Sequence, residues 1–456
     1  MATSIESLTH DWGPAKDVDL YLGRCQHDTP TDVVSRVWTL IKTRRSNISK
    51  VVDFGAGDGR FASGGEYERY IGYEIDPERG RNPQLPKGAA IIHSCAFSSS
   101  ITDASLCVGN PPFVRNQDLP RDWRKRAARV IQERTGVKLS GLANAWQYFA
   151  FLALASTMPD GLVALVMPFE WVSRPSAKAL RDFIADNKWD VAVYRLHDET
   201  FNHVLTTSSI TLIDKSASSG SWKYFEDRGN TTFRSMPSPT GTQSGLIHYS
   251  RRSRDREVFA RRGLSPGTQE VLTLTEQERV DNGLHIRTDV VRCVTSLRVV
   301  PATCRTLTRA AFNKHYRDSG AKCWLIRTDR APTPRLKNYL KRVPEDKRRT
   351  STCDARDEWW RFTLPESPSI LVASGFNGAR PKAVRNSVCA IAVGSVSGVF
   401  GLTVQESRQL ANALHVARFR SRIVAHSNGL RKVEIGQLET FLARHIRRAL
   451  PLASRG

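Results

Sequence analysis

The sequence of 456 residues has no run of about 18 uninterrupted apolar residues, the length that a helix spanning a bilayer requires. Its opening, MATSIESLTHDWGPAKD, has neither a basic segment nor an apolar core, which excludes a secretory signal. The eight cysteines (Cys25, Cys95, Cys107, Cys293, Cys304, Cys323, Cys353 and Cys389) contain no CxxC pair. Their spacing suits neither a zinc site nor a short-loop disulfide framework, so they read as reduced thiols of a cytoplasmic protein, with no metal centre. Internal repeats are absent. Acidic residues are scarce in one half only: residues 1–250 carry 29 Lys+Arg against 27 Asp+Glu, and residues 251–456 carry 39 against 18. Nearly all of the net charge of +23 therefore lies in the second half, which points to a polyanionic partner met mainly there.

What is present divides along the chain. With 40% hydrophobic and 25% charged residues the composition is ordinary for a globular protein. The front part alternates short apolar runs with helical patterns, the mark of a doubly wound, mostly parallel α/β sheet. Strands are expected at Lys50–Asp53, Tyr70–Ile75, Leu106–Val108, Leu162–Met167, Val191–Leu196 and Ser208–Ile213, and helices at Asn144–Thr157, closed by MPDG, and Ala177–Asn187. Residues 216–246 are rich in Ser, Gly, Pro and Thr and read as a connection, with a weak strand near Trp222–Phe225. The expected organisation is a cofactor-binding domain over 1–215, the connection, and a basic domain over 247–456 with a late helix near Glu406–Phe419.

Two motifs carry chemistry. Asp53-Phe54-Gly55-Ala56-Gly57-Asp58-Gly59 follows a strand, and its glycines let the backbone turn sharply and approach a ligand closely. About 20 residues on, Glu74 and Asp76 flank Ile75 at the end of the next strand, where a carboxylate can accept from both hydroxyls of a ribose. The spacing is GxGxG rather than the dinucleotide GxGxxG, and few residues are left for a helix to face a pyrophosphate. The pattern favours a nucleoside ligand without phosphate, such as S-adenosylmethionine.

The second motif is Asn110-Pro111-Pro112-Phe113, directly after the strand at Leu106–Val108. An exocyclic amino group on a base is a poor nucleophile because its lone pair is delocalised into the ring. Accepting both of its protons, through the Asn110 side-chain oxygen and the Pro111 carbonyl, frees the lone pair for attack on a methyl sulfonium. The prolines bias the backbone towards extended geometry and aim carbonyls outward. Phe113 offers a face for a base turned out of the helix.

Together these motifs resemble the gamma-class N6-adenine DNA methyltransferases of restriction–modification systems, over most of residues 20–215 and more loosely beyond. The order matches that class: cofactor loop, NPPF, then a C-terminal target-recognition domain. The resemblance implies the class I methyltransferase fold, S-adenosylmethionine as cofactor, Asp53, Phe54, Gly55, Ala56, Gly57, Glu74 and Ile75 around it, and Asn110, Pro111, Pro112 and Phe113 as the catalytic turn. Gly23-Arg24 and Asp28-Thr29-Pro30 look like the family's N-terminal segment, so Thr29 and Pro30 are implied to hold the methionine part. Asp160–Pro168 looks like its later strand. Glu199-Thr200-Phe201 looks like its late aromatic motif, which makes Phe201 a second contact to the flipped adenine beside Arg115. Ser427–Lys432 with Ile435 and Leu438 looks like its closing segment. Where the family often has an acidic residue before a Phe, this sequence has Ser94 or Cys95 ahead of Phe97.

The implied partner is double-stranded DNA. No room for a fused nuclease precedes Thr29, so a cognate restriction endonuclease is expected to act separately, with the chain a monomer, nucleoid-associated in a bacterial, archaeal or phage setting. Arg121–Arg134 and Arg330–Arg349 are read as phosphate clamps, Lys382, Arg385 and Asn386 as base readers, and Trp359-Trp360 as core. Alternatives remain N4 of cytosine, an RNA base, a protein glutamine, or a non-catalytic subunit keeping a relic fold.

Overall fold

The computed structural model describes residues 28–79, 84–139, 141, 143–197, 200–201, 207–227, 232–239, 258–348, 350–417, 419, 423, 425–427 and 430–449. The chain forms two compact units, residues 1–244 with 425–429, and residues 245–424 with 430–456.

The first unit is built on a nine-stranded sheet in the order β3-β2-β1-β4-β5-β7-β6-β8-β9. Its strands are β1 (Lys50–Phe54), β2 (Arg69–Glu74), β3 (Ala89–His93), β4 (Ala104–Gly109), β5 (Thr157–Pro168), β6 (Asp190–Arg195), β7 (Ser208–Asp214), β8 (Trp222–Asp227) and β9 (Phe233–Met236). The first five run parallel, and β7 enters antiparallel between β5 and β6. Side chains alternate across it, as a pleated sheet requires. Leu106 and Val108 join one apolar cluster with Val51, Leu162, Ala164 and helix α1 (Thr31–Lys42), which buries Val33, Val34, Val37, Trp38 and Ile41. Cys107, between them, faces away and is also buried. Helix α2 (Arg60–Ser63) follows the glycine loop, and α3 (Arg121–Thr135) and α4 (Ala145–Ser156) precede β5. Helix α4 packs on β4 and β5 yet stays outside the α1 cluster, so both faces of the central strands are covered. That explains their near-continuous apolar sequences. Helix α5 (Lys178–Asp186) leads into β6.

Three expectations need correction. MPDG does not close a helix in a loop: Met158–Gly161 lie within β5, and the register jumps from Ala104↔Thr157 to Leu106↔Leu162 around them. Strand β3 was missed; Ala89–His93 is an edge strand whose run of four apolar residues is largely exposed. Residues 216–246 are more than a connection. Tyr194 stacks on Phe225 at 4.7 Å, and Phe233 of β9 meets Tyr194 edge-on, so β8 and β9 extend the sheet.

The second unit uses short strands. A five-stranded sheet has the order Phe259–Arg261, Val396–Phe400, Ile370–Ala373, Ala383–Asn386, Thr306–Leu307, and a four-stranded one Thr273–Leu274, Trp324–Ile326, Val290–Val294, Ile391–Ala392. One core gathers Phe312, Tyr316, Trp324 and Leu325; another gathers Phe419 with Leu410 of the helix Val404–Val416 and Phe441 of the helix Ile435–Ala449. The helix at Val404 begins with a capping box between Thr403 and Glu406, a signal legible in the sequence. No described helix is long and apolar enough to cross a membrane.

Arg36 of α1 reaches Asp227 of β8 at 2.7 Å, with the two side chains only 13% and 3% exposed. Removing one member of such a pair leaves a buried, unpaired charge. Asp227→Ala is expected to destabilise the full chain by about 3 kcal/mol in urea unfolding; a change below about 0.5 kcal/mol would show that β8 is not integral to the sheet.

Candidate functional site

The site forms where the sheet changes winding direction, between the carboxyl ends of β1 and β4. The chain leaves β1 through three glycines in the left-handed region, Gly55 (φ 95°), Gly57 (φ 57°) and Gly59 (φ 75°). The N–H groups of Gly55 and Ala56 both donate to the Tyr73 carbonyl, at 2.8 and 2.9 Å, pinning the loop to β2. The N–H of Gly57 donates to Glu74 Oε2 at 2.8 Å, and that of Asp76 to Oε1 at 2.9 Å. Each carboxylate oxygen of Glu74 keeps a lone pair for a ligand hydroxyl. Burial pushes the Glu74 carboxyl up, opposed by the two N–H donors from Asp76 and Gly57.

Helix α2 is short for a reason. It ends at Gly64 and Gly65, which lie on the Trp38 ring so closely that a Cβ at Gly65 would stand 2.3 Å from it. The Trp38 indole N–H donates to the Phe61 carbonyl at 2.9 Å and locks this turn.

Asp53, at the end of β1, has no solvent exposure. Tyr70 donates its hydroxyl to Oδ2 at 2.7 Å, while Oδ1 is buried with no partner among the described residues. Burial pushes the carboxyl up to about 7, against the lowering effect of the Tyr70 hydroxyl. The opposing backbone is Gly109, where a Cβ would sit 2.3 Å from Asp53 Oδ1, so only glycine fits there. Asn110 follows immediately. Its Nδ2 donates to Thr29 Oγ1 at 3.1 Å, and its Oδ1 is buried without a partner among the described residues. Pro111 is buried, and Pro112 and Phe113 are partly exposed. The turn is anchored downstream by the Ala145 N–H on the Val114 carbonyl and the Asn116 N–H on Asn144 Oδ1, both 2.9 Å.

The structure therefore brings together Thr29, Asp53, the glycine loop, Glu74 and Asn110–Phe113. Phe54 is buried against Tyr73, and Ile75 is half-buried beside Glu74. Pro30 starts α1, its carbonyl taking the Val34 N–H. Phe201 is 9% exposed in the apolar cluster that also holds Leu196 and Tyr194. Arg115 is exposed, 3.5 Å from Asp118. Ser94 shares a hydrogen bond with Ser98 at 2.9 Å, Cys95 is buried, and Phe97 meets Trp123 and Phe149 edge-on. Gly23-Arg24, Glu199 and Asn428-Gly429 lie outside the described residues.

Sequence reasoning missed Tyr70 and Arg60. Arg60 clasps Asp58 with two nitrogens, at 2.9 and 2.6 Å, and donates to the Thr29 carbonyl at 2.5 Å. An arginine two residues after an aspartate in a glycine loop was the available signal. Three readings of DNA contacts fall on residues that bond within the fold. Within Arg121–Arg134, Arg124 donates to Asn116 Oδ1 and Arg134 to the Ser99 carbonyl, so these two brace the fold. Asn386 donates to the carbonyls of Pro368 and Ala390 and accepts from the Ala390 N–H, leaving it unsuited to read a base. Lys382 donates to the carbonyls of Arg298 and Val300. Trp360 is buried and Trp359 packs against the same core, as expected. Among the described residues no group of His, Cys, Asp or Glu is placed to hold a metal ion.

Sheet order and loop position define the class: this is the class I S-adenosylmethionine-dependent methyltransferase fold. Comparison with known proteins narrows it. Residues 104–201, the stretch from β4 past the NPPF turn to Phe201, match the family model described as Eco57I restriction-modification methylase. The Type II methyltransferase M.XamI of Xanthomonas campestris pv. amaranthicola is 27% identical over 211 residues, 40% of this chain and 37% of that protein. The chain thus aligns with little more than a third of that relative's length. Among solved structures, the Type IIL restriction-modification enzyme MmeI in complex with DNA superposes with a TM-score of 0.56 at 10% identity, over 97% of this chain and 71% of that one. At that identity the likeness is one of fold.

A carboxyl raised by burial favours the native state while protonated. This contribution is complete below about pH 4, where the unfolded group is protonated too, and is lost as pH rises through about 7. Asp53→Asn removes it. The unfolding free energy of the Asn variant minus that of the parent is expected to climb between pH 4 and 7, by up to about 4 kcal/mol, and to level off above. A difference that stays flat over this range contradicts the assignment.

Proposed function

We propose that the chain transfers the methyl group of S-adenosylmethionine to the N6 amino group of adenine in a specific double-stranded DNA sequence, as the modification enzyme of a restriction–modification system. The observation that carries this reading is the Asn110 amide, whose buried Oδ1 has no partner among the described residues at the head of β4, beside a glycine loop braced by Glu74. An acceptor held out of water without a donor is unfavourable unless a ligand supplies one. The adenine amino group is such a donor. Oδ1 and the Pro111 carbonyl accept hydrogen bonds from its two N–H groups, the nitrogen pyramidalises, and its lone pair attacks the methyl carbon in line as S-adenosylhomocysteine leaves, after which the methylated nitrogen loses one proton to solvent.

The cofactor supplies the electrophilic methyl on a sulfonium. Glu74 fits its ribose, since both carboxylate oxygens are oriented by backbone N–H donors and each has capacity left. The positive-φ glycines leave no Cβ over the ligand face of the loop. Phe113, partly exposed, is the stacking face for the extruded base, whereas the burial of Phe201 favours a packing role for that residue. The match of residues 104–201 to a restriction-modification methylase family, and the relative named as a Type II methyltransferase, support methylation within a restriction–modification system. Asn rather than Ser at position 110 favours adenine N6 over cytosine N4.

The second unit serves, in this reading, as the target-recognition domain. Its charge supports this, as do Arg330, Lys337, Lys341 and Arg342, exposed on and beside the helix Pro334–Arg342 whose Leu336 and Leu340 face inward. Such side chains position DNA through phosphates. The partner is double-stranded DNA, with a separate cognate endonuclease, and the chain acts as a cytoplasmic monomer.

Two measurements test this. Labelled S-adenosylmethionine incubated with unmethylated DNA, followed by digestion to nucleosides, should place label in N6-methyladenine; label in N4-methylcytosine or none at all overturns the proposal. Asn110→Ala should lower that rate by about 10²-fold or more while cofactor affinity barely moves; near-normal turnover would remove Asn110 from the reaction.

A further inference from the structure

We infer that Thr29 is a positioning residue: its hydroxyl fixes the Asn110 amide with Oδ1 free for the substrate amino group, and Arg60 ties that setting to the cofactor loop. The inference rests on the reading of Asn110 as the acceptor. Family resemblance assigns Thr29 to the methionine part of the cofactor; the geometry gives its side chain a different task.

Thr29 is 4% exposed and lies in the extended segment that leads into α1. Its Oγ1 accepts from Asn110 Nδ2 at 3.1 Å. An amide that spins freely presents its donor end to the substrate as readily as its acceptor end, and a donor facing an amino group repels it. Engaging Nδ2 selects the plane in which Oδ1, buried and without a partner among the described residues, is the end left over. The Thr29 backbone is held in turn. Its carbonyl accepts from Arg60 Nη1 at 2.5 Å, and the same guanidinium clasps Asp58 of the glycine loop and lies 3.1 Å from Asp28 Oδ2. Asp28 also pairs with Arg79, just past β2. A continuous series of bonds therefore runs from the loop that receives the cofactor, through Arg60 and Thr29, to the amide that receives the base. Displacement of the loop pulls on the Thr29 carbonyl, and the amide loses its rest.

A cofactor contact and a positioning role separate in kinetics. The full chain is prepared as parent, Thr29→Val, Thr29→Ser, Asn110→Ala and the double variant Thr29→Val/Asn110→Ala. Each is measured for equilibrium binding of S-adenosylmethionine and for the single-turnover methylation rate on unmethylated double-stranded DNA at saturating cofactor. Valine keeps the shape and removes the hydroxyl. It is expected to cut the single-turnover rate by about 10-fold, the worth of one good hydrogen bond, with cofactor affinity within about twofold of the parent. Serine restores most of the rate. In the Asn110→Ala background the same Thr29→Val change is expected to have little further effect, because the two side chains act as one unit. Retained cofactor binding certifies that each variant is folded.

Weakened binding with an unchanged saturated rate would make Thr29 a cofactor contact only and overturn the inference. A full multiplicative loss in the double variant would overturn it as well. Should the parent itself methylate no adenine, the function proposed above falls and this role falls with it; a methylating parent with an unaffected Thr29→Val variant removes the positioning role alone.

Discussion

A carboxyl group removed from water holds the active end of the sheet together. Asp53 closes β1 with no exposure, takes one hydrogen bond from Tyr70 of the neighbouring strand, and presses its other oxygen against the backbone of Gly109 on β4. The two strands between which the chain reverses its winding pair directly along their backbones, and the Asp53 side chain fills the space at their carboxyl ends. Any residue but glycine at 109 would collide with it, so the path of the chain into Asn110, the next residue, is fixed beside that contact. The ordinary preference of a carboxylate for water is overridden here, which is why its proton affinity rises so far. Buried groups with displaced titration gather at working sites, and this one borders the cofactor loop and the NPPF turn alike.

Glu74 handles the same problem differently. It too is mostly buried, but each of its oxygens already accepts a backbone N–H, one from the loop and one from its own strand end. Such donors stabilise the charged form and fix its orientation before any ligand arrives. The two acidic residues therefore divide the work. Asp53 fills the junction of β1 with the Gly109 backbone, and Glu74 presents an oriented acceptor to the crevice. Loop and catalytic turn share one frame, and the short α2 helix, clamped on Trp38, leaves that frame little freedom to shift.

How much of this was legible follows from how far each signal reaches along the chain. Strands β1, β2, β4, β5, β6 and β7 announced themselves through short apolar runs buried in the sheet; the edge strand β3 has a similar run, Ala89–Ile92, but it is largely exposed and was passed over. The glycine loop and Asn110-Pro111-Pro112-Phe113 were readable because their chemistry is confined to a few consecutive residues. What could not be read were contacts between residues far apart. The Thr29–Asn110 bond spans 81 positions and the Arg60–Thr29 bond 31, and no local pattern encodes either. The same blindness affected residues read as DNA contacts: Arg124, Arg134, Lys382 and Asn386 looked available, yet each donates to a carbonyl or amide oxygen elsewhere in the fold. Strand β8 was legible only as a weak stretch near Trp222–Phe225, because Tyr224 and Asp227 are its only buried residues, and β9, with no buried residue, left no pattern in the Ser- and Gly-rich stretch.

The charge excess of the second half survives such internal bonding, because pairing conserves net charge. Individual basic residues of the second unit are paired: Arg279 and Arg317 with Glu276, Lys322 with Glu278, Arg327 with Asp329, Lys347 with Glu270, Arg361 with Glu358. Each such pair removes one charge of either sign and leaves the difference untouched. With 39 basic and 18 acidic residues in 251–456, no arrangement of the chain can neutralise that stretch from within, and residues 1–250 have no acidic excess to lend it. Hydrogen bonds to carbonyls, as at Lys382, place a cation without cancelling it. The surplus must be balanced by mobile counterions or by a polyanion that displaces them. A duplex does so with a large gain in counterion entropy, and the energy is independent of sequence. Under the function proposed above, the second unit supplies affinity through charge, and discrimination between sequences falls to polar groups that make base contacts.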